Sequence, residues 1–122
     1  MVSKVTISIL LISLALGLQA QTVRQNYSPE QYFKNYALSV CLADAYKSDN
    51  EVKDASTSAR GYLELGSYPL EAHTEAIELS KEFSKKNYKS ITGDEIILMK
   101  CIDFYHSKEL DKISKKYKKK SK

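Results

Sequence analysis

The chain has no tryptophan, and among its 122 residues there are only two prolines, four glycines and two cysteines. So few turn-forming residues argue against a loop-rich fold, and no window shows sustained alternation of β-branched residues. The chain also lacks internal repeats and any linker rich in Gly, Pro or Ser, so nothing divides it into two domains. The sequence therefore predicts a single all-α domain.

Signatures of catalysis and of metal binding are also missing. There is no Gly-rich phosphate loop, Ser-x-x-Lys, His-Glu-x-x-His or paired-carboxylate pattern. A zinc site would need closely spaced ligand pairs, and on one helix Cys101 and His106 would point apart. His73 is interpreted as a packed or half-exposed helix residue rather than a ligand. We therefore expect no catalytic residues, no metal and no cofactor.

The one long apolar run lies at the start of the chain. Residues 1–20 combine a basic Lys4, the apolar stretch Val5–Leu18 and the small-residue cleavage site Gln19-Ala20, which together are typical of a secretory signal peptide. The run is short for a membrane span of about 20 residues, so a retained anchor is only the alternative interpretation. We expect an exported mature chain of residues 21–122 without stable membrane insertion.

Export determines how the two cysteines are interpreted. In an oxidising compartment an isolated pair is most simply one disulfide, Cys41–Cys101. Two free buried thiols are the alternative, and a small Cys/His hydrolase would need one of them beside His73 or His106. The predicted bridge excludes such a nucleophile.

Capping signals and apolar periodicity predict four helices. The first begins at Ser28–Gln31 with a capping box and a proline in its first turn, and the second ends at Gly66, which suits a left-handed cap. Pro69 opens the third, and a second capping box at Thr92–Glu95 opens the fourth. The fourth either continues to Lys119 or breaks near Ser107. The expected architecture is a small disulfide-linked bundle of four to five helices, with the bridge joining the first helix to the last.

Charge is distributed unevenly along the mature chain. Residues 21–107 hold ten Lys/Arg and thirteen Asp/Glu, a net charge of −3, whereas the tail 108–122 holds eight lysines and two acidic residues, a net charge of +6. The basic pI therefore comes from the tail and gives no support for nucleic-acid binding by the body. A solvated helix end is the ordinary interpretation of the lysines, and contact with an anionic surface or partner is the alternative.

The nine tyrosines are the remaining unusual feature. Tyrosine serves both half-buried packing and partner recognition. Tyr62, Tyr68 and Tyr88 lie at or beside helix connections, from which they could reach a partner. Four others are more simply helix packing: Tyr32, Tyr36, Tyr46 and Tyr105. The residues alone thus predict an exported helical binding module, with a chaperone or envelope scaffold as the alternative if a large apolar patch is exposed.

Three segments carry a family resemblance: residues 32–46, YFKNYALSVCLADAY, residues 53–62, KDASTSARGY, and residues 98–107, LMKCIDFYHS. They resemble the immunity proteins that guard against type VI secretion amidase effectors, specifically the group-4 cell-wall amidases. The resemblance covers about half of the mature chain, and both cysteines lie within it. It implies a periplasmic homodimer in which a protruding loop enters the cleft of a papain-like cysteine amidase.

Two loops with an aromatic residue could fill such a cleft. The favoured candidate is the loop Asn87–Thr92, with Asn87, Tyr88, Lys89 and Ser90 as its contact residues, because its length allows it to protrude. Lysines in and beside it, at positions 85, 86 and 89, could pair with an acidic rim. The secondary candidates are Tyr62, Ser67 and Tyr68. For the dimer interface, apolar residues on more than one side of the third helix indicate Ala72, Ala76 and Leu79.

Overall fold

The computed structural model describes residues 26–120, which form an all-α bundle as predicted. The helices are α1 (Pro29–Ala45), α2 (Asp49–Leu65), α3 (Leu70–Ser84), α4 (Ile97–Tyr105) and α5 (Lys108–Lys118). The predicted signal peptide, residues 1–20, lies outside the described residues. Within residues 26–120, none of the helices combines the length and apolarity needed to cross a bilayer.

Helix α1 is the central element and packs against each of the other four helices. Its predicted capping box is confirmed: Ser28 Oγ accepts from Gln31 N at 3.2 Å, and Gln31 Oε1 accepts from Ser28 N at 2.9 Å. Phe33, Ala37 and Cys41 follow at intervals of four residues and are almost completely buried. This spacing places all three on one face, which forms the middle of the core.

The disulfide Cys41–Cys101 is present, with a Cα–Cα distance of 5.7 Å and both residues fully buried. It joins α1 to α4, not to the last helix, because the chain breaks at Ser107. The Ser107 hydroxyl accepts from Leu110 N at 3.2 Å and caps α5 as a separate helix. The alternative of one unbroken helix to Lys119 is therefore wrong.

Two predicted helix ends differ from the structure. Gly66 caps α2 with φ of −80°, which is extended and not left-handed, and its N–H donates to Tyr62 O. A Cβ at this position would lie 3.0 Å from Tyr62 O and 3.4 Å from Tyr32 Cβ, so glycine allows close approach here. Helix α4 begins at Ile97, and Thr92–Glu95 forms a turn instead of its capping box.

Helix α5 closes the core from the side of α1 and α3. Leu110, Ser114 and Tyr117 face inward, and the Tyr68 hydroxyl donates to Ser114 O at 3.0 Å. The amine of Lys34 in α1 donates to Asp111 Oδ1 at 2.8 Å. These contacts fix α5 on the bundle although its composition is mainly charged.

His73 is a packed core residue, as predicted. It is 2% exposed, its Nδ1 donates to Pro69 O at 3.0 Å, and its ring meets those of Tyr36 and Phe33 edge-on. Burial lowers the pKa of the imidazole below its ordinary 6.5, against the smaller opposing effect of the Pro69 hydrogen bond. The ring is therefore held neutral inside the bundle.

Candidate functional site

The connection between α3 and α4 contains a short hairpin, residues 88–96, hereafter the 88–96 hairpin. Lys89 and Glu95 pair as an isolated antiparallel bridge, Ser90 N donates to Asp94 O at 2.9 Å, and Ile96 N donates to Tyr88 O at 3.4 Å. Gly93 turns the chain with φ of +88°, a conformation that favours glycine. A segment predicted to be a loop over residues 87–92 followed by a helix cap at Thr92–Glu95 thus has backbone pairing of its own.

Side-chain hydrogen bonds also fix the tip of this hairpin. The Ser90 and Thr92 hydroxyls lie 2.8 Å apart, and Thr92 Oγ1 donates to Asp94 Oδ2 at 2.7 Å. Asp94 N in turn donates to Ser90 Oγ at 3.1 Å. Such short-range bonds reduce the number of conformations of the tip, so less ordering is needed when it meets a partner.

The residue at the tip is Ile91, whose side chain is fully exposed. Isolated exposed apolar residues are common on surfaces, but this one sits between two residues of a pre-ordered turn and contacts nothing in the core. A rigidly held apolar side chain that projects from a surface is the form of an interface anchor. Ile91 lies in the predicted loop but is not among its predicted contact residues; an isolated β-branched apolar residue within a polar stretch was the available signal.

The base of the hairpin is bound to α4. The Tyr88 hydroxyl donates to Asp103 Oδ2 at 2.9 Å, a contact that raises the pKa of the Tyr88 phenol above 10.0. The Lys100 amine donates to Ser84 O at 2.9 Å and to Lys86 O at 3.4 Å, where α3 ends. The favoured candidates therefore divide: Asn87 and Lys89 are exposed, whereas Tyr88 and Ser90 are half-buried and partly engaged within the protein.

Lysine side chains surround the start of the 88–96 hairpin. Lys85, Lys86 and Lys89 are all exposed, and the Lys86 amine lies 3.7 Å from the centre of the Phe83 ring. On the other side Glu95 lies 3.8 Å from Lys47. One flank of the hairpin is therefore basic, and the other carries charges of both signs. A basic flank favours association with acidic groups and acts mainly on the rate.

The second candidate surface, formed by Tyr62, Ser67 and Tyr68, is less exposed than predicted. Tyr68 is 7% exposed and stacks on Phe33 with ring centroids 4.9 Å apart, so it belongs to the core and not to a presented turn. Tyr62 is half-buried beside Tyr27 and Tyr32, and the hydroxyl of Ser67 is buried. The 66–68 turn is too short and too tightly packed to protrude as the hairpin does.

The predicted dimer residues are also largely inside. Ala72 and Ala76 are completely buried in the monomer core and Leu79 is half-buried, so the two alanines have no surface to offer a second copy. Exposed apolar side chains lie instead on α4, directly after the hairpin: Leu98, Met99 and Ile102. We call these three residues the α4 apolar patch.

The described residues offer no chemistry of an active site. Both cysteines are in the disulfide, and His73 is buried and neutral. Within residues 26–120 no three His, Cys, Asp or Glu side chains come together as a metal site would require. What this region of the surface presents instead is exposed apolar side chains, namely Ile91 at the hairpin tip and the α4 apolar patch beside it.

Comparison with known proteins places this chain in a family. A family model described as the type VI secretion system (T6SS) amidase immunity protein Tai4 matches residues 31–114. No curated protein sequence gives a significant match. Among solved structures, the fold matches a chain of the Tae4/Tai4 effector–immunity system from Salmonella typhimurium with 40% identity and a TM-score of 0.69, covering 73% of this chain and 88% of that one.

A second solved structure shares the fold. It is the complex of the Salmonella typhimurium effector Tae4 with Tai4 from Enterobacter cloacae, matched with 23% identity and a TM-score of 0.69 over 77% of this chain and 99% of that one. The family match covers well over half of the chain, includes both cysteines and the whole hairpin, and agrees with the prediction of a protein that is not an enzyme. The chain thus belongs to the family of type VI secretion system amidase immunity proteins.

Proposed function

We propose that this protein binds and inhibits a type VI secretion peptidoglycan amidase by placing the 88–96 hairpin in the active-site cleft of the enzyme. The supporting relatives are immunity proteins whose structures are named as effector–immunity systems with the effector Tae4. The single observation that carries the choice of surface is the fully exposed Ile91 on a pre-ordered tip. Blocking the cleft would protect the producing cell and its kin from the amidase.

The shape of the hairpin suits such a cleft. A groove built for an extended peptide is narrow, whereas a helix with its side chains is about 10 Å wide. The tip of the hairpin is a tight turn that carries one large apolar side chain, Ile91, and can reach further into such a groove. Ile91 would then be the deepest side chain, and the exposed Asn87 and Lys89 would contact the walls of the cleft. The half-buried Tyr88 and Ser90 would keep the hairpin in its projecting orientation.

The test is inhibition of the purified cognate amidase. Replacing Ile91 with Asp places a charge where an apolar anchor is expected, so the inhibition constant should rise at least about 30-fold. Leu70→Asp is the matched control, because Leu70 is also a largely exposed aliphatic residue but lies at the start of α3. It should inhibit like the parent.

A second variant tests the original candidates together. Asn87, Tyr88, Lys89 and Ser90 are replaced jointly by Gly and Ser, and folding is verified by circular dichroism and thermal unfolding. The folded variant should lose protection of cells against the amidase. Full protection would show that the assignment to the hairpin is wrong.

We further propose a homodimer that forms through the α4 apolar patch. Leu98 and Ile102 are four residues apart and Met99 and Ile102 three, so all three lie on one exposed face of α4. A two-fold interface brings the same patch of each copy together and would cover these side chains. Light scattering at micromolar concentration should give a dimer for the parent and a monomer for Met99→Lys. A monomeric parent with intact inhibition would contradict the dimer.

The place of action we propose is the periplasm. The signal peptide predicted in residues 1–20 would export the chain, and the buried disulfide suits an oxidising compartment. Cell fractionation should find the protein in the periplasm, and its intact mass should lack residues 1–20. Full-length protein in the cytoplasm with two titratable thiols would contradict this location.

A further inference from the structure

Three lysines of helix α5 and Lys119, its C-cap residue, line the outer side of this helix. With 100° of rotation per residue, Lys108, Lys112, Lys115 and Lys119 fall within an arc of about 60°, opposite the buried Leu110, Ser114 and Tyr117. At 1.5 Å per residue they extend over about 16 Å of helix length. We call these four residues the α5 lysine stripe.

The neighbouring lysines have contacts of their own. Lys116 donates to Glu75 at 2.6 Å, Lys118 lies 3.4 Å from Glu30, and the Lys120 amine lies over the Tyr117 ring. Within residues 26–120 no carboxylate comes within ion-pair distance of the four stripe lysines. The nearby Asp111 is hydrogen-bonded to Lys34 and interacts with Lys115 only beyond ion-pair distance, so the stripe remains strongly positive.

The residue types of the α5 lysine stripe indicate which kind of partner it can bind. It contains no arginine for bidentate contacts and no aromatic side chain for stacking, which are the groups that dominate protein hot spots and single-strand nucleic-acid binding. No large apolar residue of α5 is exposed beside it. Four flexible point charges without a shaped pocket fit a surface of mobile anions, as lipid headgroups provide.

We propose that the α5 lysine stripe adsorbs this protein onto an anionic phospholipid surface. The contact is peripheral, because α5 has no exposed apolar side chain that could insert between lipids. Residues 21–107 carry a net charge of −3, so an anionic surface repels the body while it attracts the tail, and the molecule is oriented with α5 toward the membrane. The inference does not depend on the inhibitory role of the hairpin.

The experiment is co-sedimentation of the periplasmically exported protein with vesicles. One set contains phosphatidylethanolamine with phosphatidylglycerol, and the other contains only neutral phosphatidylcholine. The protein should bind the anionic set alone and dissociate as salt is raised, since charges separated by more than the Debye length of about 10 Å at 0.1 M are screened. Equal binding to both sets, or none to either, would overturn the proposal.

Two variants of equal net charge separate the stripe from charge in general. K108Q/K112Q/K115Q/K119Q removes four positive charges, and each lysine near such a surface changes the partition coefficient by roughly fivefold, so binding should fall by two to three orders of magnitude. Lys53→Glu, Arg60→Gln and Lys81→Gln, combined, give the same change in charge on α2 and α3. This control should bind as the parent does, and an equal loss in both variants would overturn the proposal.

The amidase assay separates this proposal from the proposed function. The stripe variant should inhibit the amidase as well as the parent, whereas Ile91→Asp should still bind anionic vesicles. A stripe variant that keeps vesicle binding but loses inhibition would assign the lysines to the effector and overturn the membrane contact.

Discussion

The hydroxyl of Tyr88 donates a 2.9 Å hydrogen bond to Oδ2 of Asp103 and thereby fastens the base of the 88–96 hairpin to the middle of α4. The same α4 is bonded to α1 through Cys101 and carries the α4 apolar patch. The hairpin, the disulfide and the α4 apolar patch are therefore all attached to the same helix.

Tyr88→Phe removes this anchor and leaves the ring in place. A hydrogen bond to a charged acceptor contributes about 1–3 kcal/mol at most sites and less when exposed, so we expect inhibition to weaken about threefold to tenfold with little change in thermal unfolding. Asp103→Asn retains an acceptor and should weaken inhibition less than Asp103→Ala. In both Asp103 variants the Tyr88 pKa, which the hydrogen bond and charge of Asp103 raise, should return toward 10.0, as phenol absorbance or NMR would measure.

The two glycines Gly61 and Gly93 should respond to alanine in opposite directions. Neither would bring a Cβ within 4 Å of another group, but Gly61 is in the interior of α2 and Gly93 has φ of +88°. Gly61→Ala should stabilise the protein by about 0.5–1 kcal/mol, because alanine loses less conformational freedom in a helix. Gly93→Ala should strain the tip by about 1 kcal/mol and weaken inhibition. Urea unfolding and the inhibition constant measure the two effects; the same sign in both unfolding experiments would contradict this account.

Loss of the disulfide should lower stability strongly. The bridge spans a sequence separation of 60 residues, and on the chain-entropy model such a loop contributes about 4 kcal/mol. Replacing both cysteines with alanine should therefore reduce the free energy of unfolding by a few kcal/mol while leaving some inhibition at low temperature. Denaturant titration with and without reductant measures this, with the reduced parent as the matched control. An unchanged midpoint on reduction would refute it.

Buried His73 should make stability depend on mild acid. Its pKa is lowered by burial, so below about pH 6.5 the unfolded chain binds a proton that the native state does not. The stabilisation associated with burying a neutral His73 is therefore complete above pH 6.5. It is lost as the pH falls toward the pKa of His73 in the native state. His73→Leu should flatten the stability profile between pH 7 and about pH 5. Glu75 and Asp111 also have lowered pKa values, but both titrate below this range. An unchanged slope in the variant would assign the dependence to other groups.

The helices were predictable because their signals are local, and the disulfide was predictable because the chain has only two cysteines to pair. The capping box at Ser28 and Gln31, and the four-residue spacing that carries Cys41 inward, operate within a few residues of sequence. Thr92–Glu95 was misleading because the same residue types that cap a helix also build a turn. Only the positive φ of Gly93 distinguishes the two structures, and the sequence does not specify it.

The site was less predictable because burial depends on the tertiary arrangement. Tyr68 adjoins a proline in a short connection, yet α5 returns across it and provides Ser114 O as an acceptor. Ala72 and Ala76 were interpreted as surface, but small side chains are what allow α1 and α3 to approach closely. Ile91 was overlooked for the opposite reason: apolar residues are expected inside, and its exposure follows from the hairpin geometry alone.

The disulfide Cys41–Cys101 closes a covalent loop of the chain, and the exposed tip of the 88–96 hairpin lies within that loop. A protease that cuts beside Ile91 would leave residues 92–120 attached to α1 through the sulfur–sulfur bond. The severed protein would run as one band on a non-reducing gel and as two after reduction. A cut at this exposed tip would therefore not release either fragment, and the nicked molecule would keep its five helices assembled.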